Sequence, residues 1–241
     1  MKCTRPLLLL LFSLIASSAA AQSNFAPAVA YNAGAVRPSS VAVADVNRDG
    51  KPDLVVANLC VDINCVTNGI VSVLLGNGDG TFQTAVTYNS GGYGAVSIVV
   101  ADVNGDGKPD ILVANRCAVF ISCGGTSGGH PDSNGIVSVL LGNGDGTFQP
   151  AVTYNSGGLF TTSIAVGDVN GDGKPDLVVS NPCGVTNCFP QLDGAVGVLL
   201  GNGDGTFQTA VNYDSGGRSP GSVAVADVNG DGRVSYDELA G

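Results

Sequence analysis

The chain is poor in cations and in long hydrophobic runs. Its 241 residues include 10 lysines and arginines against 20 aspartates and glutamates, which gives a formal net charge of −10. Nucleic-acid binding requires cations that neutralise phosphate, so this balance argues against a nucleic-acid partner. Beyond the N-terminus no stretch is apolar for the roughly 20 residues that a membrane-spanning helix needs. We therefore expect no membrane insertion of the mature protein.

Residues that exchange protons or attack a substrate are also scarce. The chain has one histidine, His130, a single glutamate, Glu238, and no tryptophan. His130 lies in a glycine-rich stretch without an identifiable catalytic partner, and no serine stands in a nucleophile elbow. We therefore do not expect an enzyme. The lack of tryptophan also argues against an aromatic platform for sugars, although a lectin-like module stays an alternative.

The first residues have the pattern of a secretory signal peptide. A basic start precedes the apolar run LLLLLFSLI and the small residues SSAAA. The apolar run is shorter than a bilayer span, and Cys3 precedes it rather than standing at the cleavage site. We predict a signal peptide over 1–21, cleavage near Ala21, and a mature protein that is secreted to the extracellular space or the periplasm.

Six cysteines remain after Cys3 is removed, and they form three local pairs. In an exported chain such pairs favour disulfides, and each small closed loop would contribute about 2 kcal/mol. A metal site is the alternative, but pairs in three separate repeats do not easily converge on one ion. The predicted disulfides join Cys60 to Cys65, Cys117 to Cys123, and Cys183 to Cys188.

An acidic nonapeptide recurs through the chain. DVNRDGKPD begins at residue 45, DVNGDGKPD at residues 102 and 168, and DVNGDGRVS at residue 227. Two further markers, GNGDGTFQ and AVTYNSGG with its variants, repeat in the same order. Such self-similarity is typical of repeat architectures, in which each repeat is one supersecondary unit.

Each repeat contains four short runs rich in β-branched residues. In the first repeat they are SVAVADV, DLVVAN, GIVSVLL and TFQTAVTYN, separated by glycine, asparagine and aspartate. No helical period is sustained, so these runs predict strands, and four strands per repeat describe a propeller blade. The sequence predicts an all-β fold of the β-propeller type with three complete four-stranded blades, at about 39–89, 96–155 and 162–214.

The two ends of the repeat region predict an incomplete blade. Residues 25–32 predict a lone fourth strand, and residues 221–241 contain a lone first strand with its loop. The propeller would then be open or incompletely closed, and bare strand edges favour pairing with another chain. We therefore expect a homo-oligomer, with a poorly closed monomer as the competing outcome.

The combination DVNGDGKPD…LGNGDGTF resembles the FG-GAP or VCBS repeat, which forms the propeller blades of integrin α-subunits and of many secreted bacterial proteins. The resemblance covers about residues 25–235 of a repeat region predicted at 22–241. It implies that the nonapeptide joins the first two strands of a blade and binds calcium. It also implies a binding, adhesion or scaffold module, and it leaves open an accessory module of a secreted enzyme system.

Oxygen donors at alternate positions of the nonapeptide match the six to eight hard ligands that calcium prefers. They are carboxylates at positions one, five and nine, an asparagine at position three and a backbone carbonyl at position seven. A solvated Asp-Gly turn without an ion is the alternative, and magnesium is less suited because it demands octahedral geometry. The predicted ligands are Asp45, Asn47, Asp49, Lys51 and Asp53; Asp102, Asn104, Asp106, Lys108 and Asp110; and Asp168, Asn170, Asp172, Lys174 and Asp176.

The fourth copy of the nonapeptide differs from the others in the residues that follow its DVNGDG segment. DVNGDGRVSYDEL fits the twelve-residue spacing of an EF-hand loop, which would bring the total to three or four calcium ions. A strand-like run enters this loop where an EF-hand has a helix, so only the ligand pattern fits. The predicted ligands are Asp227, Asn229, Asp231, the carbonyl of Arg233, Ser235 and Glu238.

The second marker, GNGDG, contains one carboxylate and is interpreted as a hairpin turn rather than an ion site. One phenylalanine and one tyrosine recur per repeat, and we expect them to pack between blades: Phe82, Phe148 and Phe207, and Tyr88, Tyr154 and Tyr213. The expected partner is an extracellular protein or glycan that binds the face opposite the nonapeptides.

Overall fold

The computed structural model describes residues 27–61, 67–118, 134–184 and 193–227. The chain divides into a short N-terminal unit, Met1–Ala30, and a repeat unit, Tyr31–Gly241. Residues 27–30 of the first unit are exposed and have no regular secondary structure. The predicted signal peptide and its cleavage site lie outside the described residues.

The described chain forms three four-stranded antiparallel sheets, which confirms the predicted all-β class and the three blades. Within each sheet the strands lie in chain order. No helix long and apolar enough to cross a membrane occurs in these ranges. Blade 1 contains β1 (Val36–Ala44), β2 (Asp53–Cys60), β3 (Ile70–Leu74) and β4 (Val86–Asn89); blade 2 contains β5 (Tyr93–Ala101), β6 (Asp110–Cys117), β7 (Asn134–Leu140) and β8 (Val152–Leu159); blade 3 contains β9 (Ser163–Gly167), β10 (Asp176–Asn181), β11 (Asp193–Leu199) and β12 (Val211–Arg218).

The second strand of each blade is buried on both faces. In β6, with the sequence DILVANRC, every residue except Arg116 is buried, and all of β10 is buried. Such a strand needs an apolar side chain at nearly every position. In blade 2 neighbouring blades cover both of its faces, and in blade 3 Val223 and Val225 cover the face that has no neighbouring blade. This explains why DLVVAN, DILVAN and DLVVSN are continuous apolar runs rather than alternating ones.

Successive residues of a second strand belong to different cores, because strand side chains point alternately to opposite faces. Ile111 and Val113 of β6 share a core with Val55 and Ala57 of blade 1. Their neighbours Leu112 and Ala114 share a second core with blade 3. The second strand of blade 2 therefore contributes side chains to the cores that this blade shares with both neighbours. We call the face of a blade towards the preceding blade its leading face and the opposite one its trailing face.

The fourth strand is shorter than the run TFQTAVTYN predicted. In blade 1 it begins at Val86, and Phe82 makes only an isolated bridge to Gly76. Four of the six recurrent aromatic residues pack between blades as expected, whereas Phe82 contacts Tyr31 and Tyr213 borders the core of blade 3. Tyr88 lies edge-on to Phe148 of the next blade with ring centroids 5.6 Å apart, and the Tyr154–Phe207 pair repeats this contact at 5.6 Å.

The segments that flank the blades are not assigned to any sheet. Residues 31–35 and 219–227 have no strand, in contrast to the lone strands that the sequence predicted. Each keeps a side-chain contact of the strand that it resembles. Tyr31 lies edge-on to Phe82 with ring centroids 5.3 Å apart, and Val223 and Val225 pack on the core of blade 3.

Candidate metal-binding loops

The three described nonapeptides join the first and second strands of their blades. Blade 1 leaves β1 at Ala44 and enters β2 at Asp53, and the other two blades repeat this arrangement. The GNGDG turn between the third and fourth strands lies at the same end of the blade. A Cβ built on Gly146, in this turn of blade 2, would be 3.4 Å from the Cβ of Asn47 in the nonapeptide of blade 1. The acidic turns of neighbouring blades are thus adjacent.

The first aspartate organises each loop by accepting backbone N–H groups. In blade 1, Asp45 accepts bonds from Asp49 N at 3.0 Å and from Gly50 N at 2.8 Å. Its equivalents, Asp102 and Asp168, accept the same type of bond from Gly107 and Gly173 at 2.8 and 2.7 Å. The glycine at position six has a positive φ, 81° in Gly50, which a side chain rarely tolerates.

Positions three and five are bonded inside the loop as well. In blade 2, Asn104 Oδ1 accepts the N–H of Asp106 at 3.0 Å, and Asp106 Oδ1 accepts the N–H of Lys108 at 2.9 Å. The Lys108 ammonium lies 3.1 Å from Asp106 Oδ2. The equivalent lysines of blades 1 and 3, Lys51 and Lys174, lie 3.4 and 4.0 Å from Asp49 and Asp172. The carboxylate at position five of each loop is therefore paired with a lysine of its own loop.

The aspartate at position nine of each nonapeptide is fully buried and connects two turns of its blade. Asp110 accepts one bond from Val103 N, at 3.0 Å, and a second from Gly142 N, at 2.8 Å. Asp53 and Asp176 are equally buried and make the same pair of bonds, to Val46 and Gly76 and to Val169 and Gly201. This residue fixes the nonapeptide to the turn after the third strand.

In blade 2 the aspartates at positions five and nine of the nonapeptide have pKa values shifted in opposite directions. Hydrogen bonds from the backbone and side chain of Lys108 lower the pKa of Asp106 below 3.8, against a smaller opposing effect of desolvation. Desolvation raises the pKa of Asp110 above 3.8 despite the N–H bonds from Gly142 and Val103, and the nearby Asp106 and Asp102 add to the increase. One loop thus holds an exposed, acidic carboxyl beside a buried carboxyl whose ionised form is less favoured.

The donor chemistry of these loops fits calcium. Each offers carboxylate, amide and carbonyl oxygens, the hard ligands that calcium prefers. In the part of the chain that the structure describes, no three histidine, cysteine, aspartate or glutamate side chains are grouped so that they could hold a metal ion. The ligand assignments made from the sequence therefore stay predictions.

Several predicted residues lie at the edge of the described ranges or beyond them. Of the fourth copy only Asp227 is described, and the other five predicted ligands lie outside, as does His130. Three of the paired cysteines, Cys60, Cys117 and Cys183, are buried with exposed fractions of 2%, 0% and 3%. Their predicted partners, Cys65, Cys123 and Cys188, are outside the described residues, so the pairings stay predictions.

A buried polar contact between blades was not predicted from the sequence. Asn115 is fully buried, and its Oδ1 accepts a bond of 2.6 Å from Ser90 of blade 1. The amide of Asn115 in turn donates to Ser138 Oγ at 2.8 Å. In blade 3, Asn181 accepts from Ser156 at 2.9 Å. The sequence feature that could have predicted this contact is an asparagine in each apolar second-strand run. It recurs from repeat to repeat together with the serine of YNSGG.

Models of the FG-GAP-like repeat match residues 60–113, 120–179 and 188–235, and models of the FG-GAP repeat match 37–59, 94–140 and 160–199. Integrin alpha-V of Gallus gallus is 30% identical over 148 residues, which cover 60% of this chain and 14% of that protein. The crystal structure of the V. cholerae biofilm matrix protein Bap1 is similar with 22% identity and a TM-score of 0.32, over 72% of this chain and 28% of the other. The chain thus spans less than a third of the length of each of these proteins. Because the matched repeats cover more than half of its residues, the chain belongs to the family of FG-GAP-like repeat proteins.

Proposed function

We propose that the protein is an exported binding module of the adhesion or scaffold type, and that calcium bound by the nonapeptides stabilises it. One observation carries this proposal. Three consecutive blades place the same oxygen-rich loop at the same end of the sheet, and the bond from position six to position one recurs in each copy. A turn alone needs one or two such residues, whereas each loop holds three carboxylates.

The exported location rests on the N-terminal signal pattern and on the predicted cysteine pairs. The buried positions of Cys60, Cys117 and Cys183 support disulfides that clamp the end of each second strand. The similarity to integrin alpha-V supports an extracellular binding role, and the oxygen donors of the nonapeptides support a divalent cation in the repeats. The described residues carry loops and apolar cores rather than a convergent set of proton-transfer groups, which favours binding over catalysis.

Calcium should raise the melting temperature of the mature protein, because an ion that binds only the folded state stabilises it by mass action. We expect half-saturation at about 10⁻⁴–10⁻³ M, as in extracellular calcium modules. Thermal unfolding monitored by circular dichroism, with chelator and with added calcium, measures this effect. The matched variants are Asp106→Asn, which should weaken the response, and Asp145→Asn in the GNGDG turn, which should leave it unchanged.

Identical melting curves with chelator and with calcium would contradict the calcium part of the proposal. The binding part is tested separately by capturing exported proteins of the native host on the immobilised chain, with a matched column of unfolded protein. Specific capture that chelator abolishes supports a calcium-stabilised binding module. A stable, calcium-loaded protein that captures neither protein nor glycan would contradict the binding role alone.

A lectin-like module is less well supported by the described surface. An open groove of about 490 Å³ lies between blades 1 and 2, beside Tyr88, Asn89 and Gln149. The Tyr88 ring packs edge-on against Phe148 at an interplanar angle of 84°, so its position is determined by the core between the blades. This packing makes it a poor platform for a sugar ring.

A further inference from the structure

The first strand of blade 1 carries an apolar pair whose equivalents in the other blades are buried or partly buried. Ile98 of β5 and Ile164 of β9 have exposed fractions of 5% and 4%, because they pack on the preceding blade. Val41 stands at the same repeat position in β1 and is 59% exposed, and Val43 is 65% exposed. On the leading face of blade 1 the part around Val41 and Val43 is therefore exposed, although the fold elsewhere uses this surface to join blades.

The same face contains a buried oxygen without a hydrogen-bond partner. Asn58 is the repeat equivalent of Asn115 and Asn181 and is fully buried. Its amide donates to Ser72 Oγ at 2.9 Å, but its Oδ1 is the only buried side-chain nitrogen or oxygen of the described residues that lacks a partner. In blades 2 and 3 that oxygen accepts from a serine of the preceding blade.

The missing donor is explained by residues 31–35. Asn32 accepts the N–H of Gly34 at 2.8 Å, as Asn89 accepts that of Gly91. This shared turn places Ala33 where Ser90 and Ser156 stand in the other repeats. Alanine has no hydroxyl, so the segment covers the outer part of the face but leaves Asn58 Oδ1 unpaired.

The complementary groups lie at the trailing face of blade 3. Asp214 accepts the N–H of Gly216 in the same turn, which places Ser215 at the serine position. Tyr213 occupies the place of the tyrosines that pack on a phenylalanine of the next blade, and it borders the core of Val178 and Val198. That core is covered by Val223 and Val225, the repeat equivalents of Val41 and Val43.

We propose that the leading face of blade 1 binds the trailing face of blade 3 of a second copy of this chain, head to tail. The contact repeats the two blade–blade interfaces that the fold already contains, with Val41 and Val43 in place of Val223 and Val225. Ser215 donates to Asn58 Oδ1, and Tyr213 packs on Phe82 in place of Tyr31. Only the segments 31–35 and 219–227 have to move, and neither belongs to a sheet. Such a heterologous contact builds rings or open chains.

Sedimentation velocity of the mature protein over a range of concentrations tests this assembly. The proposed contact does not require calcium, so the measurement can be made without it. Val41→Asp combined with Val43→Asp should weaken association at least about tenfold, because two apolar side chains would no longer be buried. The matched control is Val86→Asp combined with Val152→Asp, since these outer-strand valines are 53% and 54% exposed and lie away from the proposed interface. The control should associate as the wild type does.

Two further variants distinguish the interface from a general loss of folding. Ala33→Ser offers Asn58 a donor within its own chain, so it should raise the melting temperature and weaken association. Ser215→Ala should weaken association without lowering the melting temperature of the monomer. A wild-type protein that stays monomeric up to about 100 µM, far above a micromolar dissociation constant, would overturn the proposal. So would an assembly that survives the Val41/Val43 change or is lost equally in the control.

Discussion

At the scale of single residues, one buried carboxylate per blade does the most to hold the candidate site in place. Asp110 has no exposed surface, and its two oxygens accept N–H groups from two different turns. Charge-assisted bonds of this kind are stronger than neutral ones. The conformation of the nonapeptide therefore depends on a residue that also stands in its predicted ligand set.

Asp110→Asn should lower the free energy of unfolding by about 2 kcal/mol, even with chelator present. The amide of asparagine would face a backbone donor, which leaves one buried N–H group unpaired. Urea unfolding of the chelated protein measures the change. Asp79→Asn, in an exposed turn, is the control and should change the unfolding free energy much less. Equal effects of the two changes would show that burial of Asp110 has no special role.

The GNGDG turns should make the protein sensitive to acid. Bonds from the hydroxyl and the N–H of Thr147 lower the pKa of Asp145 below 3.8, and Thr81 and Thr206 act likewise on Asp79 and Asp204. A carboxyl whose pKa is lowered by folding stabilises the folded state above its unfolded pKa, and this contribution disappears as pH falls through the folded pKa.

The triple variant Asp79→Asn, Asp145→Asn and Asp204→Asn should therefore be less stable than the wild type at neutral pH. The gap should begin to narrow as the pH falls towards about 4, where the unfolded carboxyl groups start to bind protons, and it should disappear only below the lowered folded pKa values. Urea unfolding midpoints of both proteins, measured from neutral pH downwards, give this difference in stability. Chelator is present throughout, so bound calcium does not contribute. A gap that does not change with pH would assign the effect to the turn shape alone.

At the scale of elements, the nonapeptide and the turn after the third strand lie very close together. Some glycines are therefore required there because a side chain would not fit, not because their φ is positive. A Cβ on Gly142, just after β7, would overlap the carbonyl oxygen of Pro109 in the nonapeptide. Gly76 and Gly201 meet Pro52 and Pro175 in the same way. The glycine brings the backbone close enough for its N–H to reach the ninth aspartate.

Gly142→Ala should destabilise blade 2 by about 1–3 kcal/mol or more, as overpacking does in a rigid core. Gly217→Ala is the matched control, because a Cβ at that position would contact nothing within 4 Å. Chemical denaturation of both variants decides between the two expectations. A small effect of Gly142→Ala would mean that the nonapeptide yields to the added methyl group.

The same elements show how far the sequence predicts this molecule. The runs of valine and isoleucine, separated by Asp-Gly turns, predicted four strands per blade. This was possible because the burial of a strand depends on the hydrophobicity of its own residues. The close approach at Gly142 and the Ser90–Asn115 bond were not predicted. Both join segments far apart in the chain, and the residue types alone do not show which turns become neighbours. Phe148 was interpreted correctly because an aromatic residue that recurs once per blade has few other places to pack.

At the scale of the whole repeat unit, each blade is stabilised by its neighbours as much as by its own sheet. The core around Val55 and Ile111 belongs to two blades, and so does the core around Leu112 and Leu177. Stability in such an array is approximately the sum of intrinsic repeat terms and nearest-neighbour terms. The middle blade has two such neighbours, so we expect its amide protons to be protected most strongly.

The alternation of β6 side chains between two cores also bears on how the gene can change. Because the two described blade–blade interfaces are built alike, a duplicated stretch equivalent to residues 93–159 would fit between blades 2 and 3 without a new kind of interface. Unequal recombination between the two segments that encode the identical peptide DVNGDGKPD would deliver such stretches in whole units. Length variation among alleles and close relatives should therefore occur in steps of one blade, with the end segments inherited unchanged.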